Sequence, residues 1–144
     1  MTVAWRICRR PFADLSGDGA RLYGGRWNSP GLPLIYAAET AALAVLDVRV
    51  HLDLDWDTLP DDYVLVSIDL GTLIAEAMAD LPDDPRAAGD EWVRSGKSAL
   101  LRVPSWSVPE SCNVLINPLH SDASFISIRS IRPFAFDGRL WLPR

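Results

Sequence analysis

Short apolar runs bounded by turn-forming residues dominate the chain and predict strands. Residues 63–70 are mostly β-branched, aliphatic or aromatic, which is typical of a buried strand. Residues 125–131 alternate isoleucines with polar side chains, as a strand with one solvent-exposed face does. Four further runs predict strands in the same way, and they lie at residues 3–8, 34–37, 98–103 and 113–116.

The helical pattern is clear in one segment only. Residues 40–52 are rich in Ala, Leu and Val, and Thr40 is placed to cap the N-terminus of a helix. Weaker patterns predict helices over residues 71–79 and 87–94. Because strands outnumber helices and do not alternate with them regularly, the pattern favours an α+β fold over a doubly wound one.

Three clusters of Pro, Gly and Asp interrupt these elements, at residues 14–19, 56–62 and 81–89. The first cluster has a turn-forming residue at nearly every position and predicts a flexible loop. No repeat, low-complexity block or linker divides the 144 residues. We therefore expect one domain over residues 1–144.

Composition narrows the class of protein. The chain has 14 basic and 19 acidic residues, a net charge of −5 and no dense basic run, so direct nucleic-acid binding is not expected. No run is long and apolar enough for a membrane span. The first residues lack the apolar core of a signal peptide. Two cysteines are too few for a disulfide scaffold. A cytoplasmic protein is expected. Two cysteines and two histidines, all far apart, predict no metal site.

The densest group of unusual residues is the segment YGGRWNSPG at residues 23–31. Its paired glycines let the backbone approach a ligand, and Arg26 offers a planar fork of donors for phosphate oxygens, with Asn28 as a further hydrogen-bonding group. The same segment also fits a structural turn in which Arg26 caps a carbonyl and Trp27 fills the core. Tyr36, ten positions after Arg26, fits either a core strand position or an aromatic face for a flat heterocycle.

Asp47 is an acidic residue on an apolar helical stripe. Apolar residues at three- and four-residue spacing share that stripe with it, and they are Leu43, Leu46 and Val50. An ionised carboxylate on a core-facing stripe is costly unless it is paired or has a function. We favour a functional Asp47 over the structural alternatives, an ion pair with Arg6 or Arg26 or a hydrogen bond with His51.

The second unusual stretch, residues 101–113 with 117–120, contains prolines and neutral hydrogen-bonding side chains such as Ser105 and Asn113. Such a set suits a polar, uncharged ligand such as a ribose, although Asn-Pro is also a common turn former. The chain has no G-x-S-x-G elbow, no P-loop and no G-x-G-x-x-G fingerprint.

In this order, the motifs resemble the RES-domain family, small bacterial toxins named for Arg, Glu and Ser residues. The resemblance covers almost the whole chain. It rests on Trp5-Arg6-Ile7, the block G-G-R-W-N-S-P-G-x-P-x-x-Y at residues 24–36, the helix end V-x-V-H-L at 48–52, V-P-S at 103–105, N-x-L-x-N-P-x-H at 113–120 and Arg139-Leu140.

The resemblance implies a fold similar to that of ADP-ribosylating toxins, with a split, mixed β core and flanking helices around an NAD cleft. It implies NAD⁺ as the substrate, cleavage of its nicotinamide–ribose bond, and transfer of ADP-ribose to water, phosphate or a protein acceptor. It also implies a partner, an antitoxin that carries a helix-turn-helix DNA-binding domain. A toxin dimer within that complex is a further expectation.

Matching the family motif residue by residue gives the expected site. The catalytic positions correspond to Arg26 and Tyr36, and the position of the family glutamate is occupied by Asp47. Expected NAD-binding residues are Arg6, Gly25, Trp27, Asn28, Ser105 and Asn113. The nearest glutamate, Glu39, precedes the helix and is an unconvincing substitute.

The Asp at this position matters because its carboxylate is one methylene shorter than that of Glu, and a misplacement of about 1 Å can cost roughly a hundredfold in rate. The change predicts either a slow enzyme or a cleft rebuilt around Asp47. We favour the second outcome and an ADP-ribosyltransferase with a protein acceptor. The alternatives are an NAD glycohydrolase or phosphorylase that depletes NAD⁺, and a catalytically weakened module that binds NAD or an antitoxin.

Overall fold

One sheet organises the computed structural model, which describes residues 2–142. Its seven strands have the spatial order β4-β5-β6-β2-β1-β3-β7. The strands are β1 (Val3–Arg9), β2 (Ile35–Ala38), β3 (Tyr63–Asp69), β4 (Glu76–Ala77), β5 (Leu100–Pro104), β6 (Cys112–Ile116) and β7 (Ser127–Pro133). The α-helices are α1 (Asp18–Tyr23), α2 (Ala41–His51) and α3 (Pro85–Ser95). Short 3-10 helices occupy Arg10–Phe12, Trp56–Thr58, Ser121–Phe125 and Gly138–Trp141.

The sheet is mixed. β4 and β5 are parallel, whereas every other neighbouring pair of described strands is antiparallel. Helices and strands do not alternate regularly, and the predicted α+β class with a mixed β core is confirmed.

The predicted helix over residues 40–52 is present as α2. The hydroxyl of Thr40 accepts a hydrogen bond from the backbone N–H of Leu43 at 3.1 Å, which satisfies one of the free donors at the helix N-terminus. α3 begins two residues earlier than predicted, because Asp84 caps it by accepting from the N–H of Ala87 and Pro85 suits the first turn. Each of the six predicted strands has its counterpart in the sheet.

Two local predictions are wrong. Residues 71–79 do not form a helix: Gly71 adopts φ +59°, and the chain then runs along β5, where the N–H of Met78 donates to the carbonyl of Arg102. These sheet contacts override a weak helical propensity. Residues 14–19 are not all loop, because α1 begins at Asp18. No helix of the described residues is long and apolar enough to cross a membrane.

β1 and β2 pair over only a short distance, and this opens the sheet. β1 is paired along its whole length with β3, but with β2 it shares the single register Trp5 opposite Ala38. Beyond that point the two strands diverge. Residues of both strands are therefore available to line a space between them.

Aromatic contacts pack the end of the described chain beside α2. The ring of Trp141 lies 5.4 Å from the rings of Trp56 and Phe136, and the guanidinium carbon of Arg49 lies 4.1 Å from the centre of the Trp141 ring. Arg49 therefore lies on the side of α2 that faces Trp141 and does not line the space between β1 and β2.

Candidate active site

A cavity of about 940 Å³ lies where β1 and β2 diverge, a size within the range of small-molecule sites. Its walls come from β1, β2, β6, α1, α2, the loop at residues 24–27 and the loop that begins at residue 105. Seven of the nine residues expected at the site line it, and they are Arg6, Gly25, Arg26, Trp27, Tyr36, Asp47 and Asn113. The other two, Asn28 and Ser105, are fully buried behind the wall.

Asn28 organises the loop that carries Arg26. Its side-chain amide donates to the carbonyls of Ala20 and Leu32 at 2.8 and 2.9 Å, and its Oδ1 accepts from the hydroxyl of Tyr36 at 2.6 Å. With this amide bound to protein groups on every side, Asn28 joins α1, the loop and β2. The structure thus gives Asn28 internal partners and places it outside the cavity lining.

Gly25 is required by its contact with Tyr36. The N–H of Gly25 donates to the carbonyl of Asn28 at 2.9 Å and closes a tight turn. A Cβ at Gly25 would lie 2.5 Å from the hydroxyl oxygen of Tyr36, so a larger residue would push the ring or the loop away.

The hydroxyl of Tyr36 is fully engaged by the protein. It donates to Asn28 and accepts from the backbone N–H of Trp27 at 2.9 Å. Burial raises the pKa of Tyr36 to about 12, although the Trp27 hydrogen bond and nearby arginines oppose the shift. Tyr36 therefore stays neutral at physiological pH, and what it offers a ligand is its ring.

Arg26 has its hydrogen-bonding capacity free. Its guanidinium carbon lies 4.5 Å from the centre of the Trp106 ring, and it makes no hydrogen bond or ion pair with any described residue. The carbonyl-capping alternative for Arg26 is therefore wrong, whereas Trp27 does fill the core and is 3% exposed. Arg6 differs, since its Nη1 donates to the carbonyls of Phe12 and Asp14.

Asp47 is held by neutral hydrogen-bond donors. Its Oδ2 accepts from the side-chain amide of Asn113 at 2.6 Å, and its Oδ1 accepts from the hydroxyl of Ser105 at 3.4 Å. The ion pair and the His51 hydrogen bond that the sequence left open are not formed. Within the part of the chain that the structure describes, Asp47 is the one acidic residue lining the cavity.

The apolar stripe around Asp47 is divided between core and cavity: Leu43 faces the core as expected, whereas for Leu46 and Val50 that expectation is wrong. Leu46 and Val50 are 38% and 59% exposed and line the cavity, whereas the buried residues of α2 are Leu43 and Ala44. Asp47 is therefore only partly buried, and its place in the cavity wall is what favours a functional role for it.

Glu39 is committed elsewhere. Its Oε1 accepts from the N–H of Cys112 at 3.0 Å, and its Oε2 lies 3.5 Å from Arg102. It does not line the cavity. No other described glutamate does either, so Asp47 has no glutamate substitute in this wall.

Ser105 joins Asp47 to a loop within the unusual stretch 101–113, from which the sequence did not single out Trp106 as a site residue. Besides donating to Asp47, its hydroxyl accepts from the N–H groups of Ser107 and Val108 at 3.1 and 3.3 Å. This turn presents Trp106, half-exposed, at the cavity. A lone Trp between serines has no distinctive spacing, and the one available signal was a large aromatic residue in a polar, Pro-bounded loop.

Helix α3 supports the Arg26 loop from outside, which the sequence did not indicate. The buried carboxylate of Asp90 accepts from the N–H and the hydroxyl of Ser29, at 2.7 and 2.5 Å. A Cβ at Gly89 would lie 1.8 Å from the carbonyl oxygen of Trp27. The loop and the helix are therefore in direct backbone contact. Among residues 2–142 no group of three or more metal-ligating side chains is found.

The cavity of small-molecule size within this split, mixed sheet thus combines a free arginine, an aromatic wall and one oriented carboxylate. The sequence profile described as "RES domain" matches residues 3–137. The chain belongs to the RES-domain family, and the resemblance found in its motifs is confirmed.

Named relatives are consistent with membership of this family. The chain is 40% identical over 157 aligned positions to the Prs ADP-ribosylating toxin of Sphingobium sp. (strain YBL2), with 96% of each chain covered. A stretch of 36 residues, 24% of this chain and 19% of the relative, is 53% identical to the NAD(+) phosphorylase MbcT of Mycobacterium tuberculosis. The toxin–antitoxin complex MbcT–MbcA of M. tuberculosis contains a similar fold, with a TM-score of 0.71 and 22% identity over 92% of this chain and 84% of that chain.

Proposed function

We propose that this protein is a toxin that cleaves the nicotinamide–ribose bond of NAD⁺ and transfers ADP-ribose to a protein acceptor. The observation that carries the proposal is the hydrogen-bonded carboxylate of Asp47 in the same cavity wall as the free guanidinium of Arg26. The relative that is 40% identical along the whole chain is named an ADP-ribosylating toxin, which supports the transferase over its alternatives.

Asp47 acts on the ribose in this proposal. When the bond from ribose C1′ to the nicotinamide nitrogen breaks, both electrons leave with nicotinamide, which becomes neutral, and positive charge develops on the ribose. A fixed carboxylate stabilises that charge or holds the 2′-hydroxyl. A lone pair of the acceptor then forms the new bond to C1′, and the proton of the acceptor passes to Asp47 or to water.

Arg26 and Tyr36 bind the substrate in this proposal. The free N–H groups of Arg26 match the oxygens of the pyrophosphate, because a planar guanidinium donates in pairs to such groups. The ring of Tyr36 stacks on the nicotinamide, while its hydroxyl keeps the Arg26 loop in place. Arg6, Gly25, Trp27 and Asn113 complete the wall around the dinucleotide.

The shorter side chain of Asp47 fits this cavity because its partners are close. Asn113 approaches to 2.6 Å, and Ser105 contacts the other carboxylate oxygen. Orientation by two neutral donors leaves the negative charge of Asp47 available to the ribose. This arrangement favours a cleft rebuilt around Asp47 over a catalytically weakened module.

The second candidate is an NAD⁺ phosphorylase or glycohydrolase. The specific observation in its favour is the 36-residue stretch that is 53% identical to an NAD(+) phosphorylase. In that reaction phosphate or water, in place of a protein side chain, attacks C1′.

One assay separates the candidates. Purified protein is incubated with NAD⁺ labelled in its adenosine half, with and without bacterial lysate, and with and without phosphate. The transferase predicts labelled protein only with lysate, whereas the phosphorylase predicts phosphate-dependent release of phosphorylated ADP-ribose. Asp47→Asn is the matched control, because it keeps the shape and removes the charge. Nicotinamide release without labelled protein would reject the transferase, and NAD⁺ binding without any release would indicate a binding module.

For the partner, we propose a cytoplasmic antitoxin that covers the cavity. The support is a fold similar to a toxin solved with its antitoxin, together with exposed apolar residues at the cavity, Leu46, Val50 and Trp106. A helix-turn-helix domain in that partner and a toxin dimer in the complex remain part of this proposal. Co-expression with the neighbouring gene, followed by growth measurement and the mass of the purified complex, tests the antitoxin and the dimer. Binding of that complex to the DNA upstream of its genes tests the helix-turn-helix domain.

A further inference from the structure

Trp106 and Arg26 form a pair at the cavity, and the proposed chemistry gives a role to Arg26 but none to Trp106. The indole is 52% exposed, and the guanidinium carbon lies 4.5 Å from its ring centre. A single half-exposed aromatic side chain is common on protein surfaces, and what distinguishes Trp106 is its place at the cavity and its contact with a cation. Here the contact is a cation resting on the face of the ring.

This kind of contact positions an arginine without occupying its donors. A cation–π interaction uses the flat face of the guanidinium and leaves its N–H groups free around the rim. Arg6 shows the contrast, because its Nη1 is engaged by the carbonyls of Phe12 and Asp14. Among the arginines that line the cavity in residues 2–142, only Arg26 is held in place with its donors free.

The loop beneath Trp106 is itself fixed. The Ser105 hydroxyl accepts from the N–H groups of residues 107 and 108, and the N–H of Ser105 donates to the carbonyl of Ser111 at 2.9 Å. The same hydroxyl donates to Asp47. The buried Ser105 therefore orients the carboxylate of Asp47 and also holds the loop whose Trp106 ring contacts Arg26.

We infer that Trp106 is a positioning residue, which holds the guanidinium of Arg26 in the orientation that binds the pyrophosphate of a dinucleotide. This rests on the proposed function, since it assigns the anionic half of the same substrate. The competing role for the exposed indole is direct stacking on a base of the ligand. In that case Trp106 would act independently of Arg26.

A double-mutant cycle distinguishes the two roles. Binding of ADP-ribose is measured by calorimetry for Trp106→Leu and Trp106→Phe, each with Arg26 intact and with Arg26→Gln. Trp106→Leu should weaken binding on the order of fivefold with Arg26 present, as expected for the loss of a partly exposed cation–π contact, and by less than twofold with Arg26→Gln. Trp106→Phe should restore part of the affinity. In turnover, Trp106→Leu should raise KM for NAD⁺ and leave kcat unchanged.

The matched control is Trp56→Leu, which removes an indole of similar exposure that lies outside the cavity and should leave ADP-ribose binding unchanged. An equal loss in both Arg26 backgrounds would overturn the positioning role in favour of direct stacking. No loss in either background would overturn any role for Trp106 in binding. Wild-type protein that binds no ADP-ribose at all would reject the proposed function, and this assignment with it, a result distinct from the other two.

Discussion

The side-chain amide of Asn113, on β6, donates a 2.6 Å hydrogen bond to Oδ2 of Asp47, on α2. The contact crosses from the sheet to the helix that covers one side of the cavity, and it joins residues 66 positions apart. A neutral amide orients the carboxylate without neutralising its charge, which an arginine partner would do. The position that the motif resemblance assigns to the family glutamate therefore carries an aspartate hydrogen-bonded to Asn113.

Asp47→Glu should lower activity, although it restores the family residue. The extra methylene has no room toward Asn113 at 2.6 Å, so the longer side chain must displace the amide or turn away from it. We expect kcat for nicotinamide release to fall by about ten- to a hundredfold.

Asp47→Asn is the companion variant, and its kcat should fall by about a hundredfold or more because the charge is lost. Thermal melting of both variants serves as the control for folding. Higher activity in Asp47→Glu than in the wild type would show that the cavity is not adapted to aspartate.

Ser105→Ala should affect the site from behind its wall. The substitution leaves the N–H groups of Ser107 and Val108 without their acceptor and removes the weaker donor to Asp47. We expect a loss of about 1–2 kcal/mol in unfolding free energy and about tenfold in kcat. Chemical denaturation and nicotinamide release measure the two effects. Ser124→Ala, at an exposed serine distant in sequence, is the control, and equal effects in both variants would contradict the assigned role of Ser105.

The strands and α2 could be predicted because local pattern and tertiary structure agree there. The β-branched run of β3 is buried along six of its seven residues, and the Thr40 cap forms as its sequence suggests. At residues 71–79 the two disagree, and pairing with β5 decides the outcome. α1 has only six residues and includes Gly19, so its local signal was too weak to predict.

At the candidate site, sequence motifs identified residue types but not which of them face the cavity. Asn28 and Ser105 look like ligand-binding residues by type, yet both are buried, and they orient Tyr36 and Asp47 instead. Trp106 has no motif, but it lines the cavity against Arg26. Such roles depend on which chain segments meet in space, and spacing along the sequence carries little of that information.

The pH dependence of stability should report on Tyr36. Burial raises its pKa to about 12, against 10.0 in the unfolded chain, so between these pH values the folded state binds more protons. The stabilisation from the neutral phenol is therefore complete below pH 10 and is lost as the pH rises toward 12.

Tyr36→Phe should flatten this alkaline loss and lower the unfolding free energy at pH 7 by about 1–3 kcal/mol, because the N–H of Trp27 and Oδ1 of Asn28 lose their partner. Urea denaturation of both proteins at pH 7, 10 and 11 measures it, because the last value lies inside the window between the two pKa values. An alkaline slope that is identical in the two proteins would mean that another group titrates there.

Gly89→Ala should loosen the contact between α3 and the Arg26 loop. An added Cβ would lie 1.8 Å from the carbonyl oxygen of Trp27, and the nearest atoms are backbone, so the helix or the loop must move. We expect a loss of unfolding free energy of about 3 kcal/mol, at the upper end of what overpacked cores cost, and weaker ADP-ribose binding as Arg26 shifts with its loop.

Gly19→Ala is the matched control for this prediction. Gly19 is also helical, but its added Cβ would meet only the ring of Phe12 at 3.6 Å, which is an ordinary contact. That variant should have unchanged or slightly higher stability, because alanine is favoured over glycine within a helix. Because Gly19 also lines the cavity, it is the control for stability alone. Denaturation curves of the two variants, with ADP-ribose titrations of Gly89→Ala against the wild type, test whether backbone contact with α3 keeps the arginine loop in place. Full stability and wild-type binding in Gly89→Ala would show that the loop holds its shape without the helix.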